Sequence, residues 1–148
     1  PYMSGEDYHM HYTASKLQTD LAGKKILLVE DHKLNMEIAK KILEKKQMKV
    51  TCAYNGAEAV ALFEKMPEYT YDAVIMDIRM PVMNGLEAAA AIRAGAKADA
   101  KTIPIIAMSA NAFAEDMEKS RRAGMNRHVA KPVEPERLFG VLSEIFSD

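Results

Sequence analysis

Neither sign of charge dominates this chain of 148 residues: Lys and Arg total 20 against 21 Asp and Glu, a net charge of -1. Without a basic excess there is no general basis for holding a nucleic acid or an anionic membrane as the main partner. Cys52 is the only cysteine, which rules out an intramolecular disulfide and suits a reducing cytosol. Inside an expected strand its thiol reads as a small buried apolar group rather than a redox centre. Apolar runs extend only a few residues, so neither a membrane-spanning helix nor the core of a secretory signal is present, and no membrane contact is expected of this chain. Also missing is any glycine-rich phosphate loop of the G-x-G-x-x-G or G-x-x-x-x-G-K type, so no ATP site of a kinase is visible. The length suffices for one domain with a full hydrophobic core and is too short for two ordinary domains. A chain that opens on Pro1 rather than Met is expected to be processed, or excised from something longer.

What is there begins with a polar stretch, Pro1 to Asp20, rich in Tyr, His, Ser, Thr and Asp and without a sustained period, as in a linker or tag. From Lys25 onward short apolar segments alternate with amphipathic ones. Ile26 to Val29 predicts a strand buried on both faces, followed by a helix over Asn35 to Lys46 with Ile38, Ala39, Ile42 and Leu43 at helical spacing. Val50 to Tyr54 alternates as an edge strand does, and the helix over Gly56 to Lys65 stops near Pro67. Ala73 to Met76 is a third strand and Gly85 to about Lys97 a third helix; Ile103 to Met108 is a fourth strand and Asn111 to Ala123 a fourth helix, with Gly124 as its C-cap. A short strand over His128 to Ala130 precedes a helix that opens at Glu134-Pro135 and carries Leu138, Val141, Leu142 and Ile145 on one face. Strict alternation of this kind predicts one doubly wound α/β domain with a parallel sheet and helices on both faces. Ligands of such sheets bind beyond the carboxyl ends of the strands, at the switch in strand order.

The residues at those ends carry chemistry. The third strand delivers Asp77 into the loop Ile78-Arg79-Met80-Pro81-Val82-Met83-Asn84-Gly85; the first ends in Glu30-Asp31, the fourth in Met108-Ser109-Ala110 and the fifth in Ala130-Lys131-Pro132. Singly, each has an ordinary role: Glu30-Asp31 and Ser109 as helix caps, Asp77 as a loop starter, Lys131 as a solvated cation. Together, three carboxylates on one rim repel one another and raise one another's pKa values unless a cation lies among them. Oxygen ligands on short loops suit Mg²⁺, or Mn²⁺, better than zinc, which favours His or Cys. A carboxylate oxygen can attack the phosphorus of a donor in line to give an acyl phosphate. A metal would then bridge carboxylate and phosphoryl oxygens, Lys131 would neutralise a second oxygen and the Ser109 hydroxyl would donate to a third.

Glu30-Asp31, the run Asp77 to Gly85, Ser109-Ala110 and Lys131-Pro132 resemble the receiver domain of two-component response regulators, over about Lys24 to Asp148. The resemblance implies a flavodoxin-like five-stranded sheet in the order 2-1-3-4-5, a phosphoacceptor domain at residues 24–148 and a flexible linker or tag at 1–23. It further implies Asp77 as phosphoacceptor and Glu30 and Asp31 as the acidic pair, with Asp31 the direct metal ligand and the Arg79 backbone carbonyl another. Ser109 becomes the switch hydroxyl, Lys131 the phosphate-contacting cation, and Lys131-Pro132 a cis peptide. Leu34 to Ala39, Gly124-Met125-Asn126 and Ala130-Lys131-Pro132-Val133 look most like receivers fused behind hybrid sensor histidine kinases, in the cytoplasm or the cytoplasmic part of a membrane-anchored sensor. The donor is then a phosphohistidine on a histidine kinase or histidine phosphotransfer domain, for which Leu34, Asn35 and Ile38 are candidate contacts, or a small acyl or amidophosphate. Catalysis is confined to the domain's own phosphorylation and hydrolysis.

Two positions depart from the pattern. His128 stands three residues before Lys131, where many receivers carry a Tyr or Phe switch; an imidazole is polar and titrates near neutrality. Its alternative is a solvent-facing histidine on an edge strand. Arg79, two residues after Asp77, is placed to pair with and shield a phosphoryl group, or to lie in solvent. A hydrolase with an aspartyl-phosphate intermediate, of the haloacid-dehalogenase type, needs a second acid where Arg79 stands. A non-phosphorylated interaction domain on the same fold is disfavoured because no site residue is missing.

Overall fold

Apolar segments too short to do anything but pair are joined here by helices that return the chain to the same edge. The computed structural model describes residues 20–110 and 114–147. Among them, strands β1 (Lys25–Val29), β2 (Lys49–Ala53), β3 (Ala73–Asp77), β4 (Ile105–Ser109) and β5 (Arg127–Ala130) alternate with helices α1 (Lys33–Lys45), α2 (Gly56–Lys65), α3 (Gly85–Ala94), α4 (Ala114–Arg122) and α5 (Pro135–Phe146). All four strand pairings are parallel, in the order β2-β1-β3-β4-β5, as expected. Chain order reverses beside β1, so β1 and β3 flank the switch point where their loops part to opposite faces.

Period-two alternation along the strands builds two cores. Leu27, Val29, Val74, Met76, Ile105 and Ala107 face Ala59 and Phe63 of α2 and Ala88, Ala89 and Ile92 of α3. Ile26, Leu28, Ile75, Ile106, Met108 and Val129 face Met36, Ala39 and Leu43 of α1 and Leu138 and Leu142 of α5. Fully buried residues such as Leu28, Ile75 and Leu142 each contribute about 1.5–3 kcal/mol relative to exposure. Leu21 is buried in the second core and the Gly23 N–H donates to the Gln47 carbonyl at 2.9 Å, so residues ahead of β1 already pack on the domain. The segment expected as linker or tag lies outside the described residues up to 19, as does the expected start of the fourth helix at 111–113.

Some boundaries differ from expectation. α1 begins at Lys33, two residues early, and its buried stripe is Met36, Ala39 and Leu43. Ile38 is 48% exposed: a turn of about 3.6 residues places it with Leu34, on a second apolar stripe that faces solvent. α3 stops at Ala94 because the backbone turns extended at Gly95, short of Lys97. β4 starts at Ile105, since Pro104 has no N–H to give the ladder, although its carbonyl accepts from Val74 N–H at 2.9 Å. Cys52 is half-buried on the edge strand rather than fully enclosed; burial still pushes its thiol pKa up. Gly124 has φ +101° after α4, the left-handed C-cap conformation expected of it.

Candidate functional site

The register of the sheet brings the strand ends to one level: Asp77 pairs with Met108 and Ser109 with Ala130. Glu30 follows β1 directly, its N–H held by the Ala53 carbonyl at 3.1 Å. Lys131 follows β5, its N–H held by the Ser109 carbonyl at 2.8 Å, and the Lys131-Pro132 peptide is cis. Backbone pairing therefore aims Glu30, Asp77 and Lys131 at one point. The loop after β3 must turn sharply to leave that point open: Gly85 N–H donates to the Ile78 carbonyl at 2.8 Å. A side chain at Gly85 would run into the Asp77 carbonyl oxygen.

Lys131 Nζ lies 2.7 Å from Glu30 Oε1 and 2.8 Å from Asp77 Oδ2. The other oxygens are also occupied: Asp77 Oδ1 accepts the Arg79 N–H at 3.2 Å, and Glu30 Oε2 accepts the His32 N–H at 3.3 Å. Glu30 and Asp77 are buried, whereas Asp31 is exposed at the mouth; one ligand oxygen from each of the three lies within 4.8 Å of the others. Burial raises the Glu30 pKa, the Lys131 hydrogen bond opposes that rise, and neighbouring Asp77 reinforces it. For Lys131 burial alone lowers the pKa, but bonds to Asp77 and Glu30 outweigh it and leave it raised.

These contacts dispose of several ordinary explanations. α1 is capped at His32 with no side-chain cap bond and no acid in its first turn, so Glu30-Asp31 does not serve as its cap. Lys131 is not a solvated loop cation: its side chain is 21% exposed and bridges two buried carboxylates. Ser109 is buried at the end of β4, next to the same point. Arg79 reaches the site through its backbone N–H, its side chain being exposed. His128 is half-buried on β5, in register with Ala107, and its Nε2 is shielded from solvent, so it is not a fully solvent-facing histidine. Leu34 and Asn35 are exposed beside Ile38. Asn35 and Ile38, with Ala39, Pro132 and Val133, line a groove of about 350 Å³ that opens beside Glu30 and Lys131.

A polar centre not expected from sequence lies at the other end of the sheet. Arg93 Nε and Nη2 donate to the Gly124 carbonyl at 3.0 and 2.8 Å, and Nη2 also donates to Asn126 Oδ1 at 2.9 Å. Asn126 in turn accepts the Ile105 N–H at 2.8 Å and donates its own N–H to the Ile105 carbonyl at 2.7 Å. Burial lowers the Arg93 pKa. Its only sequence signal was a cation four residues after buried Ala89 on a mostly alanine helix.

A doubly wound parallel sheet with a lysine-bridged cluster of acids at its switch point defines a phosphoryl-handling α/β module. Residues 26–143 match the response regulator receiver domain, and the chain belongs to that family, a signalling module of two-component phosphorelays rather than a turnover enzyme. It is 36% identical over 122 residues to hybrid signal transduction histidine kinase I of Dictyostelium discoideum, covering 81% of this chain and 7% of that protein. Against histidine kinase 3 of Arabidopsis thaliana it is 33% identical over 149 residues, covering 88% of this chain and 14% of that one. The chain thus spans a small part of the curated relatives it matches. Among solved structures, the receiver domain of a sensor histidine kinase from Pseudomonas aeruginosa PAO1, with a magnesium ion coordinated in its active site cleft, is 37% identical. That likeness has a TM-score of 0.76 and covers 86% of this chain and 100% of the other. Among the described residues no helix is long and apolar enough to cross a membrane.

Proposed function

We propose that Asp77 accepts a phosphoryl group from a phosphohistidine on a histidine kinase or histidine phosphotransfer domain. The observation that carries this reading is the Lys131 ammonium held between Glu30 and Asp77 at 2.7 and 2.8 Å, which leaves an incompletely neutralised nest of acids with its mouth at Asp31. Three carboxylates less one ammonium leave a formal charge of -2, which a divalent cation balances. Glu30, Asp31 and Asp77, with the Arg79 carbonyl, are the ligands we assign to Mg²⁺ or Mn²⁺; the all-oxygen donor set fits a hard ion. When bound, the ion supplies charge neutralisation for the phosphoryl oxygens.

The chain's own groups do the positioning. The Arg79 N–H and Lys131 Nζ hold the Asp77 carboxylate so that one oxygen faces an incoming phosphorus. A new P–O bond forms as the donor's P–N bond breaks, with the bonding pair returning to the imidazole nitrogen. Lys131 then transfers a hydrogen bond from the carboxylate to a phosphoryl oxygen, and the Ser109 hydroxyl donates to another. Movement of Ser109 toward the phosphoryl group, with His128 on the neighbouring strand, shifts the domain between two conformations that differ in partner affinity. The apolar stripe of Leu34 and Ile38, with Asn35, is the first docking surface for the donor. Residues 24–148 form the phosphoacceptor domain, with 1–23 leading into it from a parent hybrid kinase on the cytoplasmic side of a membrane.

The test is chemical trapping. Borohydride reduces an aspartyl phosphate to homoserine, so peptide mass spectrometry after phosphorylation and reduction should find homoserine at position 77. Homoserine elsewhere, or none in a chain that has gained phosphate, would overturn the assignment.

A further inference from the structure

The balanced charge that argues against an anionic membrane as a partner holds for the whole chain and hides a local excess. Between Lys24 and Lys49 stand eight lysines and four acids, and two of those acids, Glu30 and Asp31, belong to the site. β1 carries the chain from Lys25 to Val29, so Glu30 lies about 16 Å from Lys25 at about 3.3 Å per residue. That is about twice the screening length of roughly 8 Å at physiological salt, so the acids of the site do not offset lysines at the other end.

Backbone pairing gathers those lysines at the amino-terminal edge of the sheet. Lys25 and Lys49 are in register at the starts of β1 and β2, strands that run about 4.8 Å apart. The Lys24 carbonyl accepts the Lys49 N–H at 2.8 Å, and the bond from Gly23 to Gln47 draws in the end of α1, with Lys45 and Lys46. Lys41 stands one turn earlier on α1, also exposed. Lys24 Nζ lies 4.9 Å from the centre of the Phe146 ring and Lys46 Nζ 5.3 Å from that of Phe139, which holds both ammonium groups against α5. Among the described residues none of these six makes an ion pair, whereas Arg121, Arg122 and Arg127 are each paired with Glu118 or Glu144. Against the six stand Asp20, Glu44 and Asp72, a formal excess of +3. Two of those acids are engaged by the backbone, Asp20 by the Ala22 N–H at 2.9 Å and Asp72 by the Lys25 N–H at 2.7 Å.

Stability accounts for only part of the cluster. Cations in the last turns of α1, α2 and α3, namely Lys45, Lys65 and Arg93, suit the negative ends of those helices. Lys24, Lys25 and Lys49 stand at strand starts, where no such field rewards them and like charges on neighbouring strands repel. The chemistry of the patch narrows the partner. Arginine, whose planar fork reads carboxylate or phosphate in fixed geometry, is absent from the six. Lysine is depleted at protein–protein interfaces, and as a flexible point charge it suits a diffuse negative field. On the same edge, beside Glu68, Tyr69 is 67% exposed with φ +63°, its N–H held by the buried Asp99 carboxylate at 3.0 Å. An outward tyrosine with unpaired lysines is the combination that settles at the headgroup level of a bilayer.

We propose that the amino-terminal edge docks on an anionic lipid surface through these lysines and Tyr69. The mouth of the site at Asp31, on the opposite edge, then faces away from the membrane and stays open to a donor. The docking does not depend on phosphorylation of Asp77.

The full chain is expected to sediment with vesicles of phosphatidylcholine containing about one-third phosphatidylserine, to ignore pure phosphatidylcholine, and to be released as salt rises. Lys41→Gln, Lys45→Gln and Lys49→Gln combined should weaken binding roughly a hundredfold, about fivefold for each lysine. Labelling of Asp77 by acetyl phosphate should be unchanged in that variant; because it is read separately, a failure of the phosphoacceptor reading is a distinct result. The chain has no tryptophan, so Tyr69→Trp gives a single emitter on this edge, and its emission should shift to the blue with the phosphatidylserine vesicles alone. A wild-type chain that stays in solution with those vesicles would overturn the proposal, as would equal binding to both kinds. Undiminished binding by the combined variant, or binding without a blue shift from Tyr69→Trp, would place the contact elsewhere and overturn it too. Tighter binding to polyglutamate or to duplex DNA at equal total charge would assign the edge to an acidic protein or a nucleic acid instead.

Discussion

Lys131 decides how the buried acids behave. Glu30, with its raised pKa, binds a proton more tightly in the fold than in the unfolded chain. Its contribution to stability is therefore present below the ordinary carboxylate pKa and lost as pH rises through the raised folded value. Lys131, also raised, contributes below the ordinary lysine pKa and loses that contribution as pH climbs through its own folded value. Replacing it by Met leaves two buried carboxylates without their cation, a loss of about 3 kcal/mol near neutral pH. That loss should shrink as pH falls through the Glu30 pKa. Urea denaturation of Lys131→Met at pH 7.5 and pH 5 checks this, and an equal loss at both would show that the pairing with Glu30 is not responsible. Metal affinity should follow the same group, weakening on acidification as Glu30 takes up its proton. Arg79, exposed, stands two residues after the acid; Arg79→Ala is expected to shorten the lifetime of phosphorylated Asp77 severalfold, measured by loss of phosphate from the isolated chain. An unchanged lifetime would place the guanidinium in solvent throughout the cycle.

The chemical identities of Glu30, Asp31, Asp77, Ser109 and Lys131 were legible as sequence because each follows an apolar strand, and parallel register carries all strand ends to one edge. Their ordering was not: that Lys131 bridges Glu30 and Asp77 while Asp31 stays at the mouth depends on distances that no spacing encodes.

At the scale of elements, the strands were legible and the phase of α1 was not. Ile38 and Ala39 both fit an apolar period, and only the arrival of α5 beside Leu43 and Met36 selects the stripe that is buried. From the stripe left over, Leu34 and Ile38, the latter lines the groove beside Glu30 and Lys131. The Arg93 clamp was invisible for another reason: it joins α3, the turn after α4 and the start of β4, residues more than thirty apart in part of the network. Arg93→Ala should cost about 2–3 kcal/mol, since it leaves buried carbonyls of Gly124 and Ala100 without their charged donor. Because the clamp lies at the amino-terminal edge of β4, far from the acids, Mg²⁺ affinity of the folded variant should match the wild type. Chemical denaturation and a metal titration together check both halves, and a joint loss would show that the two ends of the sheet are coupled.

For the molecule as a whole, a balanced charge and a length fit for one domain already directed attention from surfaces to one site. The doubly wound topology then explains why that site sits where it does: β1 and β3 part at the switch point, and there Glu30 and Asp77 meet Lys131. On the function proposed above, the donor approaches from the carboxyl edge of the sheet. The most direct measurement is the intact mass of the chain after acetyl phosphate and Mg²⁺, beside Asp77→Asn treated in the same way. A gain of one phosphoryl group that needs the metal and is absent from Asp77→Asn is the expected result. No gain in the wild-type chain, or an equal gain in Asp77→Asn, would contradict it.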